Sequence, residues 1–229
     1  MAWLPVMLLW LAVASNAGVA QGSEREPKYG PDPNQGLDLS LPTGKRFPTV
    51  IFVHGGSLTS GDKADEDYCA CDTGVGKGCA HLSIARLGLK TSDLRGVIPM
   101  GSIMWDDELE QALKQYGRSR VEESFRRDSD NRIYGSLDTY LEHWPIRHVR
   151  AGLPPFLFLI AESEKEQPPV LRTDMKFVED SRALGNWAQY RVLPGRTHYS
   201  AIRNLSKPGD VVFSIVRDFV RQFSGDHRE

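Results

Sequence analysis

Short apolar runs alternate along the chain with longer segments whose apolar residues recur every three to four positions. Residues 48–53, 96–100 and 156–161 are rich in β-branched and aromatic side chains, which is typical of strands buried on both faces. Weaker strands are predicted at 37–41, where apolar and polar residues alternate, and at 190–193. The pattern therefore predicts several short strands.

Helical periodicity occupies the segments between these strands. A short helix is predicted over residues 79–87, a longer one over 170–184 with Gly185 as its C-terminal stop, and a final one with Asp210 as its N-cap. Charged, helix-favouring stretches across 106–144 predict a helical cap segment. Strands that alternate with helices predict an α/β fold with a mainly parallel sheet flanked by helices.

The start of the chain is typical of an export signal. The first twenty residues carry no charge, residues 6–14 are apolar, and small residues precede Gln21 as at a signal-peptidase site. The apolar run is shorter than the roughly 18 residues that span a bilayer. We therefore predict a signal peptide at 1–20, a solvated lead-in at 21–36, one domain at 37–229, and a periplasmic or secreted protein.

Composition excludes several classes of function. The chain has 229 residues, of which 40% are hydrophobic and 25% charged, and its net charge is −2. These values are ordinary for a soluble globular protein, and they do not favour nucleic-acid binding. We therefore expect neither a nucleic-acid partner nor a membrane span, and the composition does not indicate an oligomeric state.

Three cysteines lie close together in a glycine-rich, acidic segment. In an oxidising compartment, Cys79 is expected to form a disulfide with either Cys69 or Cys71. Together with His81 the cysteines could instead bind zinc, but their spacing departs from the common C-x2-C pattern. We predict no metal site and no cofactor.

Three of the predicted strands end in polar loops that could carry chemistry. These loops are residues 54–57 (His-Gly-Gly-Ser), 162–164 (Glu-Ser-Glu) and 195–198 (Gly-Arg-Thr-His). Because the carboxyl ends of parallel strands meet at one edge of a sheet, we expect the three loops to lie close together.

In this order of loops the chain resembles the α/β-hydrolase esterases of the HGG type, from about Leu37 to its C-terminus. The resemblance implies that Gly55 and Gly56 donate backbone N–H groups to an oxyanion. It also implies that Glu164 is the acid that orients His198, and that His198 is the general base.

Two nearby carboxylates are alternatives to Glu164. Glu162 and Glu166 flank it in the same loop, and any of the three could equally be a solvated surface carboxylate. The sequence leaves this choice open.

The nucleophile of that family is missing. The resemblance places the G-x-S-x-G turn at residues 74–78, where Gly76 stands in the position of the serine. The sequence lacks the strand before the turn as well, so the resemblance implies that several tens of residues are deleted between about Tyr68 and Gly74. A phosphate-binding loop is rejected because Cys71 and Gly78 occupy positions that need Gly and Ser or Thr.

No other serine takes over this position by its sequence context. Ser57 belongs to the oxyanion loop, Ser83 to a helix, and Ser102 follows a later strand. The family resemblance thus implies a serine hydrolase of carboxylic esters, with a small ester-like substrate, whose own turnover is doubtful. The alternatives are a non-catalytic binding protein or truncated product on a hydrolase scaffold, and a zinc-binding Cys/His cluster.

Overall fold

The computed structural model describes the backbone of residues 6–11 and 49–52, and it describes residues 93–128, 131, 134–165, 168–205, 207 and 209–224. The strands in this part of the chain are β1 (Val6–Leu11), β2 (Thr49–Phe52), β3 (Leu94–Met100), β4 (Phe156–Ala161) and β5 (Ala188–Leu193). They form one sheet in the order β2-β1-β3-β4-β5.

The sheet has a parallel part and an antiparallel part. Strand β4 pairs in parallel with both β3 and β5, whereas β1 pairs antiparallel with both β2 and β3. The predicted parallel α/β arrangement is therefore confirmed for β3, β4 and β5. The predicted strand at 156–161 has the observed bounds, and those at 96–100 and 190–193 each begin two residues too late.

The helices lie between and after these strands. They are α1 (Asp107–Tyr116), α2 (Arg118–Phe125), α3 (Leu137–Glu142), α4 (Pro168–Ala183), α5 (His198–Arg203) and α6 (Val211–Phe223), with 3-10 turns at Pro145–His148 and Glu162–Glu164. The predicted helix end and cap are both present. Gly185 follows α4 with a φ of +78°, and the Asp210 side chain accepts a hydrogen bond from Val212 N (2.9 Å) at the start of α6.

The core lies on both faces of the parallel strands. Alternate residues of β4 point to opposite faces, as in any strand. On one face Leu157 and Leu159 pack in a cluster with side chains of α5 and α6. On the other face Phe158 packs with Phe177 and Val178 of α4. This two-sided burial explains why β4 is apolar throughout.

Residues 105–146 have an apolar cluster of their own. Asp106 caps α1 by accepting a hydrogen bond from Leu109 N (2.8 Å), and α1, α2 and α3 follow one another within this segment. The helices predicted for residues 106–144 are thus present, and their role as a cap over a site stays a prediction. The buried members of the cluster are Val121, Phe125, Leu137, Leu141 and Trp144.

Strand β1 comes from the segment predicted to be an export signal. It lies between β2 and β3, and its residues pair with Leu94–Met100 on one side and with Thr49–Phe52 on the other. The sequence predicts no strand there, because an uncharged apolar run of this length suits a signal peptide equally well. Export itself stays a prediction.

Several predictions fall outside the described residues. These are the strand at 37–41, the helix at 79–87, the loop at 54–57, the turn at 74–78 and the three cysteines. Within the described residues, no helix is long and apolar enough to cross a membrane. The same part of the chain holds no cluster of three or more metal-binding side chains.

Candidate active site

The carboxyl ends of the three parallel strands converge on one place. Strand β4 ends in the Glu162–Glu164 turn, β5 leads to His198, and β3 leads directly to Gly101. Neighbouring parallel strands point the same way, so loops that are distant in the sequence meet at the same sheet edge.

Glu164 is a buried carboxylate with a partner for each oxygen. Glu164 is 1% exposed. The turn after β4 directs the side chain back to the strand end, where Oε2 accepts a hydrogen bond from Ala161 N (2.6 Å). A buried carboxylate is costly unless it is hydrogen-bonded, and these bonds offset part of that cost.

His198 supplies the second bond to this carboxylate. Its Nδ1 donates to Glu164 Oε1 across 2.6 Å, and the imidazole is largely buried. A carboxylate only accepts hydrogen bonds, so the contact selects the tautomer that carries its proton on Nδ1. In the neutral ring Nε2 is then the proton acceptor, which is the form that a general base needs.

Local bonds position His198 at the start of α5. Thr197 and Ser200 cap this helix reciprocally, since Thr197 Oγ1 accepts from Ser200 N (3.2 Å) and Ser200 Oγ accepts from Thr197 N (2.9 Å). His198 is the first residue of the helix, so the capping geometry fixes the direction of its backbone.

The two loops are also joined to each other and to α6. Gly195 N donates to Glu162 Oε2 (2.7 Å), Ser163 N donates to Arg196 O (3.1 Å), and Arg196 Nη2 donates to Asp210 Oδ2 (2.5 Å). Glu162 is thus an exposed side chain that holds the turn before His198. Of the three candidate acids, Glu164 is in contact with the histidine, and Glu166 lies outside the described residues.

Gly101 forms a wall of the site. Its φ is +55°, and a Cβ atom placed on it would lie 2.4 Å from both Glu164 Oε1 and His198 Nδ1. Only a residue without a side chain can approach the hydrogen-bonded pair this closely. Gly101 was not among the predicted site residues, although its place directly after a buried strand is a usable signal.

A second buried carboxyl lies next to this wall. Ser102 and Asp174 are both fully buried, and Ser102 Oγ donates to Asp174 Oδ1 across 2.9 Å. Burial raises the pKa of Asp174 well above its usual range; the hydrogen bond from Ser102 opposes this increase, and the charge of Glu164 adds to it. Asp174 therefore stays protonated at a pH where an exposed aspartate is ionised.

The structure thus brings together some of the predicted site residues. Glu164 and His198 are in contact, whereas Gly55, Gly56 and Gly76 lie outside the described residues. Ser57 and Ser83 lie outside them as well, while the Ser102 hydroxyl is buried on Asp174.

The chain matches no known protein-family model, and no curated protein is similar to it in sequence. Among solved structures it is similar to a thermophilic esterase from the Planctomycetes species Thermogutta terrifontis, with 18% sequence identity and a TM-score of 0.40. The similar region covers 60% of this chain and 46% of that esterase, so the chain spans less than half of that protein's length.

Proposed function

We propose that this chain is built on the scaffold of a serine-type carboxylic-ester hydrolase, with Glu164 and His198 as the acid–base pair of that site. The observation that supports the proposal is the 2.6 Å bond from His198 Nδ1 to Glu164 Oε1, formed by two loops that follow neighbouring parallel strands. In the α/β-hydrolase esterases the acid also precedes the histidine along the chain. We propose that this chain has the fold of those esterases.

In this design His198 takes a proton from the nucleophile and returns it to the leaving group. Glu164 keeps the ring in the required tautomer and stabilises the imidazolium that forms. Gly55 and Gly56, which follow β2 by three and four residues, would donate N–H groups to the oxyanion. The substrate would be a small carboxylic ester.

We further propose that this chain hydrolyses esters negligibly. Gly76 occupies the position that the family's serine takes, and Ser102, the serine nearest to Gly101 in the sequence, has its hydroxyl committed to Asp174. Without the nucleophile, the rest of a serine-hydrolase site retains only about 10³–10⁴-fold catalysis over water. The same site would then bind an ester-like ligand without turning it over.

The acid–base pair is tested by proton NMR of the full chain. An imidazole Nδ1 proton that is bonded to a carboxylate resonates far downfield of the amide protons. We expect one such resonance in the wild type and its loss in both His198→Ala and Glu164→Gln. Its absence from the folded wild type would contradict the proposed pair.

Turnover is tested separately with p-nitrophenyl acetate and butyrate. We expect wild type, His198→Ala and Gly76→Ser to be equally inactive, because the sequence before residue 76 also lacks the apolar run expected of a supporting strand. His148→Ala removes an exposed histidine and controls for hydrolysis by surface imidazoles. Robust wild-type turnover that only His198→Ala abolishes would show that a nucleophile is present elsewhere.

A further inference from the structure

A buried polar connection joins the wall of the proposed site to α4. The loop after β3 is bound at one end to the sheet, where Gly101 N donates to Leu159 O across 3.2 Å. At this point the Gly101 backbone lies against the bond between His198 and Glu164. The position of this loop therefore limits how much space and water the bond has around it.

The next residues of the loop are bound to two consecutive residues of α4. Ser102 Oγ donates to Asp174 Oδ1 (2.9 Å), and Met104 N donates to Thr173 Oγ1 (3.1 Å). Ser102, Thr173 and Asp174 are all fully buried. Buried hydrogen bonds of this kind are costly to break, because each released polar group is left without water.

Asp174 has two carboxyl oxygens, and one of them accepts the hydrogen bond from Ser102. Its Oδ2 atom is buried and has no hydrogen-bond partner in the described part of the structure. A core position that needed packing alone would be better occupied by an apolar side chain, since an incompletely bonded carboxyl is costly there. Its presence next to the acid–base pair points to a role in the site.

We infer that Ser102 and Asp174 are positioning residues, which hold Gly101 against the His198–Glu164 bond and so keep that bond short and shielded from water. The inference rests on the proposed acid–base pair. It adds Ser102 and Asp174, which contact neither the substrate nor the proton that is transferred. Burial raises the pKa of Asp174, and a protonated Asp174 adds no negative charge at this place.

The role predicts a difference between two substitutions of the same residue. Asp174→Asn keeps an acceptor for Ser102 and puts an N–H group where a protonated Oδ2 would carry its hydrogen. Asp174→Ala removes both. We expect the downfield Nδ1 proton to persist in Asp174→Asn, and to broaden through faster exchange with water in Asp174→Ala and Ser102→Ala.

The control for general destabilisation is Val178→Ala, which removes buried apolar volume from the same helix and leaves both hydrogen bonds between α4 and the loop after β3 in place. The full chain is compared at a temperature where every variant is folded. Equal broadening in Val178→Ala, or broadening in Asp174→Asn as large as in Asp174→Ala, would overturn the inference.

Different results would contradict the acid–base pair and the positioning role. A folded wild type without the downfield proton contradicts the acid–base pair itself. A wild type that shows the proton, together with unchanged spectra for Asp174→Ala and Ser102→Ala, leaves the pair intact and refutes the positioning role. If Asp174→Ala does not fold, Ser102→Ala, which removes a single oxygen, decides the question.

Discussion

Gly101 is the residue at which a single added carbon would disturb the site most directly. We expect Gly101→Ala to destabilise the protein by roughly 1–2 kcal/mol through its left-handed backbone and by about 1–3 kcal/mol more through overpacking. The second effect arises because the new Cβ would lie 2.4 Å from Glu164 Oε1 and His198 Nδ1. Urea unfolding measures the loss.

The matched control is Gly185→Ala. Gly185 has a φ of +78°, but nothing lies within 4 Å of the Cβ that it would acquire. Its loss should therefore be limited to the backbone cost of roughly 1–2 kcal/mol. If both variants lose the same free energy, Gly101 is not in close contact with the pair.

The raised pKa of Asp174 predicts that the free energy of unfolding depends on pH. Burial raises its pKa in the folded state, so between the unfolded value of about 3.9 and the folded value the unfolded chain binds fewer protons. Stability from this group is then lost as pH rises, by about 1.4 kcal/mol per pH unit within that window. Above the folded-state pKa the loss is complete and constant.

Asp174→Asn isolates this effect, because asparagine does not titrate. The difference in unfolding free energy between wild type and Asp174→Asn should be smallest at acid pH and should grow in favour of the variant as pH rises. Denaturant titrations from about pH 4 upward measure it. A difference that is independent of pH would show that the Asp174 pKa is the same in both states.

At the scale of elements, α6 depends on its buried face. Phe219 is buried against β3, where a Cβ on Gly96 would lie 2.5 Å from its ring, and it contacts the rings of Trp187 and Phe223. We expect Phe219→Ala to destabilise the protein by about 3–5 kcal/mol. Val211 begins the same helix and is 46% exposed, so Val211→Ala should change stability by less than about 0.5 kcal/mol.

The same measurement tests the placement of the helix. Thermal or urea unfolding of the two variants should separate them by several kilocalories per mole. Similar losses at both positions would mean that α6 packs with a different face towards the sheet.

At the scale of the whole molecule, residues 6–11 cannot both be removed with a signal peptide and pair as β1 in the sheet. We propose that the chain is exported, and mass spectrometry of protein recovered from the producing cell should then find an N-terminus near Gln21. Cleavage there would remove β1 and leave β3 with an unpaired edge. Recovery of intact Met1 from the cytosol would contradict export.

Hydrogen exchange shows which arrangement a given sample has. In the full chain, β3 amides should be protected on both sides, by β1 and by β4. In a chain that begins at Gln21, the amides that face β1 should exchange faster, while those bonded to β4 keep their protection. Equal protection in both chains would mean that another segment covers this edge.

The sequence by itself determined the elements whose residues are buried on one or both faces. Strand β4 was predictable because its apolar run is short, contains two phenylalanines and follows Pro154 and Pro155, a combination that favours a strand over a helix. Asp210 caps α6 as its position before the apolar stripe indicates. The preferences for a strand or a helix cap depend on a few neighbouring residues, so a short stretch of sequence is enough to predict them. The six-residue helix α5 was not predicted, because so short a segment shows no clear periodicity.

Only the tertiary structure decided which carboxylate meets the histidine. Glu162 and Glu164 are chemically alike in the sequence, but the turn after β4 exposes the first and buries the second against His198. The contacts of Gly101, Ser102 and Asp174 join positions up to 97 residues apart in the chain. Such contacts depend on which strands become neighbours, and no local pattern encodes that choice.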